Sequence, residues 1–378
     1  MNPLSELSFQ IAMTLDGRSS TYIMGPLAGL ELARFIPHPP PVFLLDDAVS
    51  SLHAPWLEQM QAACTPQDPP IMIIPGGEQT KTLAKLEEIY NWLAETGTTR
   101  DKTLVAAGGG AVLDIAGLAA ATWRRGLDFV AIPTTLLAMV DAAIGGKTAL
   151  NTAGLKNPVG CFHPASGIIA DPGFLITLPC RCWRDGMAEL IKTAAIGDED
   201  LFRSIHRSRA RLNNLFAGEG DDDPVPGVLG SIDWKSWIAG AAVVKARIVQ
   251  RDFREQGLRR SLNLGHTLGH ALEALSMGTD RPLSHGQAVA VGMAVVFRIA
   301  AERNLCPLDE AVMMIEILEA CGLPTRCRAP DPAALDRALL GDKKNMSRGG
   351  LYWVLPRGIG RMDIHGLVET SELLKWLD

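Results

Sequence analysis

Four short apolar runs, at residues 42–45, 71–74, 103–107 and 129–132, carry no internal alternation of polar and apolar side chains. A strand that is apolar throughout is covered on both faces. Between these runs, residues 82–95 and 112–123 repeat apolar positions at helical spacing. Continuous strands separated by helices build a parallel sheet with helices on both sides, so the first half reads as an α/β layout of nucleotide-binding type. After residues 162–179, rich in Pro and Gly, strand signals nearly vanish, and helical periods dominate from Trp183 to Arg303. The expected organisation is an α/β domain of residues 1–178 followed by a mainly α-helical C-terminal domain of residues 179–378. Residues 218–226 (GEGDDDPVP) read as an exposed loop between helices, and residues 351–355 as a lone late strand. The first forty residues, with their proline cluster at 37–41, carry little functional signal.

A chain of 378 residues, 47 % of them hydrophobic, is long enough for two such cores. Its 36 basic and 42 acidic residues give a net charge of −6. That balance offers no basic stripe for a phosphate backbone, so no nucleic-acid partner is expected. The seven cysteines are scattered, with only Cys180 and Cys182 close together. No zinc-ribbon spacing results, and the usage suits a reducing cytoplasm. No basic segment leads into an apolar run at the N-terminus, and the apolar stretch 287–301 is interrupted by Arg298. Neither a signal peptide nor a membrane span is expected.

Glycine turns follow the strands. Gly108-Gly109-Gly110 ends the third run and opens a helix carrying Asp114, a place where backbone N–H groups and the helix N-terminus meet a pyrophosphate. The spacing is not the ordinary G-x-G-x-x-G fingerprint. Pro75-Gly76-Gly77-Glu78, with Lys81, is a second such turn, and Pro133-Thr134-Thr135 is a third strand-end loop. Loops at the carboxyl ends of parallel strands mark where an open α/β sheet binds its ligand.

In the helical half, Asn263-Leu264-Gly265-His266-Thr267-Leu268-Gly269-His270 puts two histidines at i and i+4, on one face of a helix. His285 follows fifteen residues later, and Glu189 lies in Gly186-Met187-Ala188-Glu189. Two His and one carboxylate form a catalytic metal set with an open position, suited to Zn²⁺. Bare spacing nominates His266 and His270 as the imidazole pair. The zinc-protease motif needs Glu directly after the first His, and position 267 is Thr. Cations are plentiful near these motifs: Arg125, Lys147, Lys156 beside Asn157, Lys192, Lys245, Arg259, and Lys343 with Lys344. A substrate bearing both phosphate and carboxylate needs several such groups.

The strings PGGEQTK, GGGAVLDIAG, RRG, IPTTLLAMVDAAIGGKTALN, LKN, DGMAELIK, GLRRSLNLGHTLGH, HGQAVAVGM and DKK occur in one order across residues 75–360. In that order and spacing the chain resembles the 3-dehydroquinate synthase family, within the sugar-phosphate cyclases. The resemblance implies that Glu189, His266 and His285 hold Zn²⁺ or Co²⁺ and that His270 faces the substrate. It implies catalytic roles for His270, Lys147, Lys192, Arg259 and Asn263, and substrate contacts at Arg125, Asp141, Lys156, Asn157, Lys245 and Lys343. NAD would be held by Asp46, Glu78, Lys81, Gly109, Gly110, Asp114, Thr134 and Thr135. It further implies a homodimer acting on a small sugar phosphate. The implied chemistry oxidises a ring hydroxyl transiently, eliminates phosphate, returns the hydride, opens the ring and closes a carbocycle by an aldol step, with no net redox change.

Some positions depart from the family pattern. Asn151-Thr152-Ala153-Gly154-Leu155-Lys156-Asn157 stands where Asn-His-Pro-Leu-Gly-Lys-Asn is common, Gln287 replaces a usual Glu, Leu113 a frequent Gly, and Ala48 an Asn. Arg259, Asn263 and His270 are the set associated with a carboxylate-bearing substrate. They favour 3-deoxy-arabino-heptulosonate 7-phosphate over sedoheptulose 7-phosphate, the substrate of valiolone-type cyclases. A metal-dependent polyol dehydrogenase shares the two-domain layout but needs no phosphate-binding lysine cluster, and a non-catalytic protein on this scaffold needs no intact metal triad.

Overall fold

The computed structural model describes residues 9–26, 41–63, 69–217, 220–341, 346–347 and 350–377. Contacts divide the chain into two compact units. One runs to Leu178 and also takes in Trp234–Phe253; the other comprises Pro179–Asp233 and the chain from Arg254 onward. The segment Trp234–Phe253 thus packs with the α/β unit, although in sequence it lies among the helices of the second half.

A seven-stranded sheet forms the first unit, in the order β1-β2-β9-β6-β5-β3-β4. Its strands are β1 (Phe9–Leu15), β2 (Arg18–Met24), β3 (Val42–Asp46), β4 (Ile71–Ile74), β5 (Thr103–Gly108), β6 (Asp128–Pro133) and β9 (Gly167–Ala170). All neighbours from β2 to β4 are parallel, and only β1 is antiparallel, at one edge. β3, β5 and β9 are wholly buried, which is why their sequences are apolar apart from Asp46 and Thr103 at strand ends. The β1–β2 hairpin turns on Asp16-Gly17, at φ +52° and +78°. Asp-Gly supplies the two left-handed residues that a tight hairpin turn requires.

The chain passes from β3 to β4 on one side, then returns to the other side of β3 to form β5. The carboxyl ends of β3 and β5 therefore flank the point where strand order reverses, the crevice in which open α/β sheets bind ligands. Thr82 Oγ1 accepts from Lys85 N at 3.1 Å and caps the helix Leu83–Glu95. The helix Gly110–Thr122 starts directly at the glycine turn. A separate hairpin of β7 (Lys147–Thr152) and β8 (Leu155–Phe162) turns on Ala153-Gly154, at φ +53° and +70°. The residues that depart from the family pattern, 152–155, are thus this two-residue turn and the Thr152–Leu155 pair that flanks it.

The second unit is mainly helical. Helix Cys180–Gly197 is buried from Gly186 to Ile196. Residues 220–224 of the acidic segment are exposed, as the composition suggests, yet their backbone is in use. Asp223 O accepts from Cys180 N at 2.8 Å and Asp221 O from Arg181 N at 3.0 Å, satisfying donors at the helix start. Arg184 holds the same segment through an ion pair to Asp221 and a 3.0 Å bond to Phe216 O. The helices His266–Ser276 and His285–Glu302 bring His266 and His285 to Glu189. Two two-residue strands, β10 (Met346–Ser347) and β11 (Gly350–Leu351), precede β12 (Trp353–Gly358) and β13 (Arg361–Gly366). The late strand is therefore not alone: β12 pairs with β13, whose mixed sequence RMDIHG carries little strand signal. No described helix is long and apolar enough to cross a membrane.

Candidate active site

In the α/β unit, the expected cofactor residues gather at the strand ends. Asp46 closes β3 and caps the next helix, its Oδ1 accepting from Ala48 N at 3.0 Å. Burial pushes its carboxyl up to about 6, with the Ala48 N–H pulling the other way. Gly109 is the N-cap of helix Gly110–Thr122. A Cβ there would come 3.2 Å from Thr135 Cγ2, and one at Gly110 would come 3.1 Å from Ala142 Cβ. These bare glycines form a shallow cradle of N–H groups at a helix start, the fit a pyrophosphate requires. Thr134 is buried and donates its backbone N–H to Gly108 O at 3.0 Å, while Thr135 Oγ1 accepts from Ala138 N at 3.2 Å. Lys81, 2 % exposed, reaches Asp114 Oδ2 at 2.7 Å and Asn157 Oδ1 at 2.5 Å, with Glu78 Oε1 at 3.4 Å.

Burial pushes Asp114 up to about 6, and the Lys81 ammonium only partly offsets this. An acid whose folded pKa lies above its unfolded value costs stability as pH rises from the unfolded to the folded pKa. Relative to Asp114→Asn, the wild type should lose up to about 3 kcal/mol between about pH 4 and pH 6, two pKa units at 1.36 kcal/mol each. Urea denaturation of both proteins across that range checks this, and parallel stability curves would exclude it.

The remaining cations of this unit differ in setting. Arg125 is exposed and sits at φ +67°, after Arg124 at +47°. Lys147 and Lys156 are exposed on the β7–β8 hairpin. Lys245 is buried and paired with Asp141 through its carboxylate and, at 2.7 Å, its carbonyl.

In the helical unit, Glu189, His266 and His285 converge, with one ligand atom from each lying within 4.8 Å of the others. Glu189 is 1 % exposed and neither carboxylate oxygen receives a well-formed hydrogen bond. The Lys192 ammonium pairs with Oε2, and the Nε2 atoms of His266 and His285 each lie 3.4 Å from Oε1. Burial raises the Glu189 pKa, but Lys192 and the imidazoles outweigh it and hold the carboxyl well below its usual range. His266 is held well below its own, by burial first and then by Lys192, so it is neutral. Its Nδ1 lies 3.2 Å from Leu264 O, an acceptor only, so Nδ1 carries the hydrogen and Nε2 turns a lone pair to Glu189. His285 Nδ1 lies 3.5 Å from Glu273 Oε2, the outer carboxylate that metal-binding histidines commonly have.

The His266 lone pair faces a carboxylate, a repulsion that a cation placed among the three groups would relieve. Ligands about 2.1 Å from a tetrahedral Zn²⁺ are about 3.4 Å apart, so the residues fit a metal. His270 is not in this cluster: its ring stands edge-on to His266, centroids 5.2 Å apart. Arg259 is buried, and Asn263 Nδ2 donates to Glu255 Oε1 at 3.3 Å. Lys343 lies outside the described residues.

The sequence reading did not single out Asp185, whose Oδ1 accepts from Ser284 Oγ at 2.5 Å and Gly286 N at 2.9 Å. Asp185 thereby ties the helix of Glu189 to the start of the helix of His285. The Gln287 departure is absorbed here too. Its Oε1 accepts from Ser284 N at 3.0 Å and completes a capping box, which Gln serves as Glu does.

Sheet and cluster define a class of protein: an α/β unit of dinucleotide-binding type joined to a helical unit that carries a candidate metal centre. Residues 71–185 match the family model 3-dehydroquinate synthase N-terminal, and residues 186–345 match 3-dehydroquinate synthase C-terminal. A 3-dehydroquinate synthase of Xanthomonas campestris pv. campestris (strain 8004) is 43 % identical over 315 residues, covering 81 % of this chain and 80 % of that one. Among solved structures, 2-epi-5-epi-valiolone synthase from Streptomyces hygroscopicus subsp. jinggangensis 5008, with NAD⁺ and Zn²⁺ bound, superposes with TM-score 0.79 at 30 % identity over 93 % of this chain and 94 % of that one. A 2-deoxy-scyllo-inosose synthase complexed with carbaglucose-6-phosphate, NAD⁺ and Co²⁺ gives TM-score 0.79 at 25 % identity, covering 98 % and 99 %. The chain belongs to the 3-dehydroquinate synthase family.

Proposed function

We propose that this chain converts 3-deoxy-arabino-heptulosonate 7-phosphate into 3-dehydroquinate and inorganic phosphate, with NAD⁺ and Zn²⁺ or Co²⁺ bound. The observation that carries the reading is the buried Glu189 carboxylate facing the Nε2 atoms of His266 and His285. Three protein ligands leave a position open, as in catalytic and not structural metal sites. When bound, the two cofactors supply a reversible hydride acceptor and a Lewis acid.

The chain's own residues bind, orient and move protons. Lys192 and Arg259 present fixed charge from within the helical unit, and the Arg fork suits a carboxylate. Asn263 offers an amide on the same short helical segment as Arg259. His270, set against the ring of His266, takes and returns a proton. In the α/β unit, Lys147, Lys156 and Arg125 are exposed cations for substrate anions. Asn157 and the Lys245–Asp141 pair complete that set. Asp46, Glu78, Lys81, Gly109, Gly110, Asp114, Thr134 and Thr135 hold the dinucleotide. Substrate choice is supported by the name of the 43 % identical relative and by Arg259, Asn263 and His270 together. Action in the cytoplasm, as a homodimer, belongs to the same reading, and sedimentation of the purified protein tests the dimer.

A second reading, cyclisation of sedoheptulose 7-phosphate, is favoured by the likeness to valiolone synthase and by the Ala153-Gly154 turn. Metal-loaded protein and NAD⁺ should release phosphate from the deoxyheptulosonate phosphate and form the carbocycle. Release from sedoheptulose 7-phosphate alone would establish the second reading, and net NADH from polyols would point to a dehydrogenase.

His270→Ala should keep its metal and lose about 10² to 10⁴-fold in turnover, the usual contribution of a positioned acid–base group. Metal analysis beside the rate assay decides this, since loss of the ion would make His270 a ligand.

A further inference from the structure

We propose that Asn151 is a positioning residue that fastens the lysine-bearing β7–β8 hairpin to the dinucleotide loops. The two strands pair from Lys147↔Phe162 to Leu150↔Val159, and again at Thr152↔Leu155. Between those last two pairs β7 advances by two residues and β8 by four, so Asn151 alone stands opposite Lys156, Asn157 and Pro158. Extra residues on one strand leave ladder groups without cross-strand partners and bend that strand outward.

Asn151 takes up those groups. Its Oδ1 accepts from Asn157 N at 2.8 Å, in place of the missing ladder carbonyl, and Asn157 sits in the left-handed region at φ +54°. Its Nδ2 donates to Glu78 Oε1 at 2.8 Å, and its backbone N–H to Lys81 O at 2.7 Å. Asn157 Oδ1 in turn accepts from Lys81 Nζ, which also pairs with Asp114 Oδ2 and Glu78 Oε1. One side chain therefore joins the bulge that presents Lys156 to the loop that presents Glu78 and Lys81. The chemistry calls for an amide, with a donor toward a carboxylate and an acceptor toward an N–H. Aspartate would face Glu78 with like charge, and alanine would leave both groups unmet.

The inference rests on the proposed roles of Glu78, Lys81, Lys156 and Asn157 as cofactor and substrate residues. The test measures NAD⁺ affinity by calorimetry and kcat and KM for phosphate release, on the full metal-loaded chain. Asn151→Ala should weaken NAD⁺ binding about tenfold or more, the effect of losing a bond to a charged group. It should cut kcat about 100-fold, as small misplacements of catalytic groups do, more than it changes KM. Asn151→Asp should lose more than Asn151→Ala. Its fold-loss should be smaller in a Glu78→Gln background, where the like charge is gone, a coupling that a merely structural asparagine would not show. Asn151→Ala within twofold of wild type in NAD⁺ affinity and kcat would overturn the proposal. So would an Asn151→Asp loss that ignores Glu78→Gln, and this comparison stands even where the alanine variant fails to fold. A wild type that binds NAD⁺ with this dependence but releases no phosphate would overturn the substrate reading alone; a wild type that binds no NAD⁺ would overturn both.

Discussion

Replacing His285 by alanine should empty the metal site and lower turnover about a thousandfold or more. A Lewis acid contributes several kcal/mol to such a reaction, and each 1.36 kcal/mol is tenfold in rate. His285 is the informative ligand to remove. Its Nε2 faces Glu189 Oε1 at 3.4 Å, and its other nitrogen is turned to Glu273, so the imidazole is aimed from both sides. Loss of the Glu189 carboxylate would instead leave the buried Lys192 ammonium without that partner, and misfolding would confuse the result. At His285 the helix start is held by groups the substitution does not touch: Ser284 and Gln287 cap it, and Asp185 binds Ser284 Oγ and Gly286 N. Elemental analysis of protein purified with added Zn²⁺ or Co²⁺, together with thermal melting, checks both halves. A folded His285→Ala protein with full metal content would sink the three-residue site.

Which parts of this were legible in the sequence follows from what each part depends on. β3, β5 and β6 were readable because strands buried inside a parallel sheet are apolar along nearly their whole length. β4 was readable from its run IMII, although it lies at the sheet edge with Ile73 exposed, where full cover on both faces was expected. The strand β9 was not, since GIIA offers only three apolar residues after a glycine, inside a Pro- and Gly-rich stretch. The Asp16-Gly17 hairpin was missed although its signal was present, a left-handed dipeptide between short strands. At the metal site the i, i+4 spacing pointed to His266 and His270, and only the family resemblance favoured His285. Spacing reports a shared helix face; which imidazole meets Glu189 depends on how the next helix crosses, a matter of tertiary packing. Asn151 was invisible for a similar reason. Its partners lie on a bulge and on a loop 73 residues earlier in the chain, and nothing in the local sequence reports either.

Gly292→Ala should act at a distance on the same cluster, destabilising the protein by about 3 kcal/mol, the upper range for overpacking, and reducing turnover about 100-fold. A Cβ on Gly292 would lie 2.0 Å from Gly265 O and 2.8 Å from Gly265 C, so backbone meets backbone and no side-chain rotation relieves the clash. Gly265 has no room to yield. It sits at φ +77°, and its own Cβ position is 2.7 Å from Met293 N and 2.8 Å from Val289 O. Helix His285–Glu302 must therefore move away from the turn that immediately precedes His266. The two imidazoles begin these two helices, so a shift of about 1 Å at the Gly265–Gly292 contact spoils their common approach to Glu189 without altering any ligand. Gly230→Ala is the control, because nothing lies within 4 Å of its Cβ position, and its effect should stay within about 0.5 kcal/mol. Chemical denaturation and metal affinity measured on both variants separate the outcomes. Wild-type stability in Gly292→Ala would mean that the helices are not in backbone contact there, and the packing account of how His266 and His285 meet would fall with it.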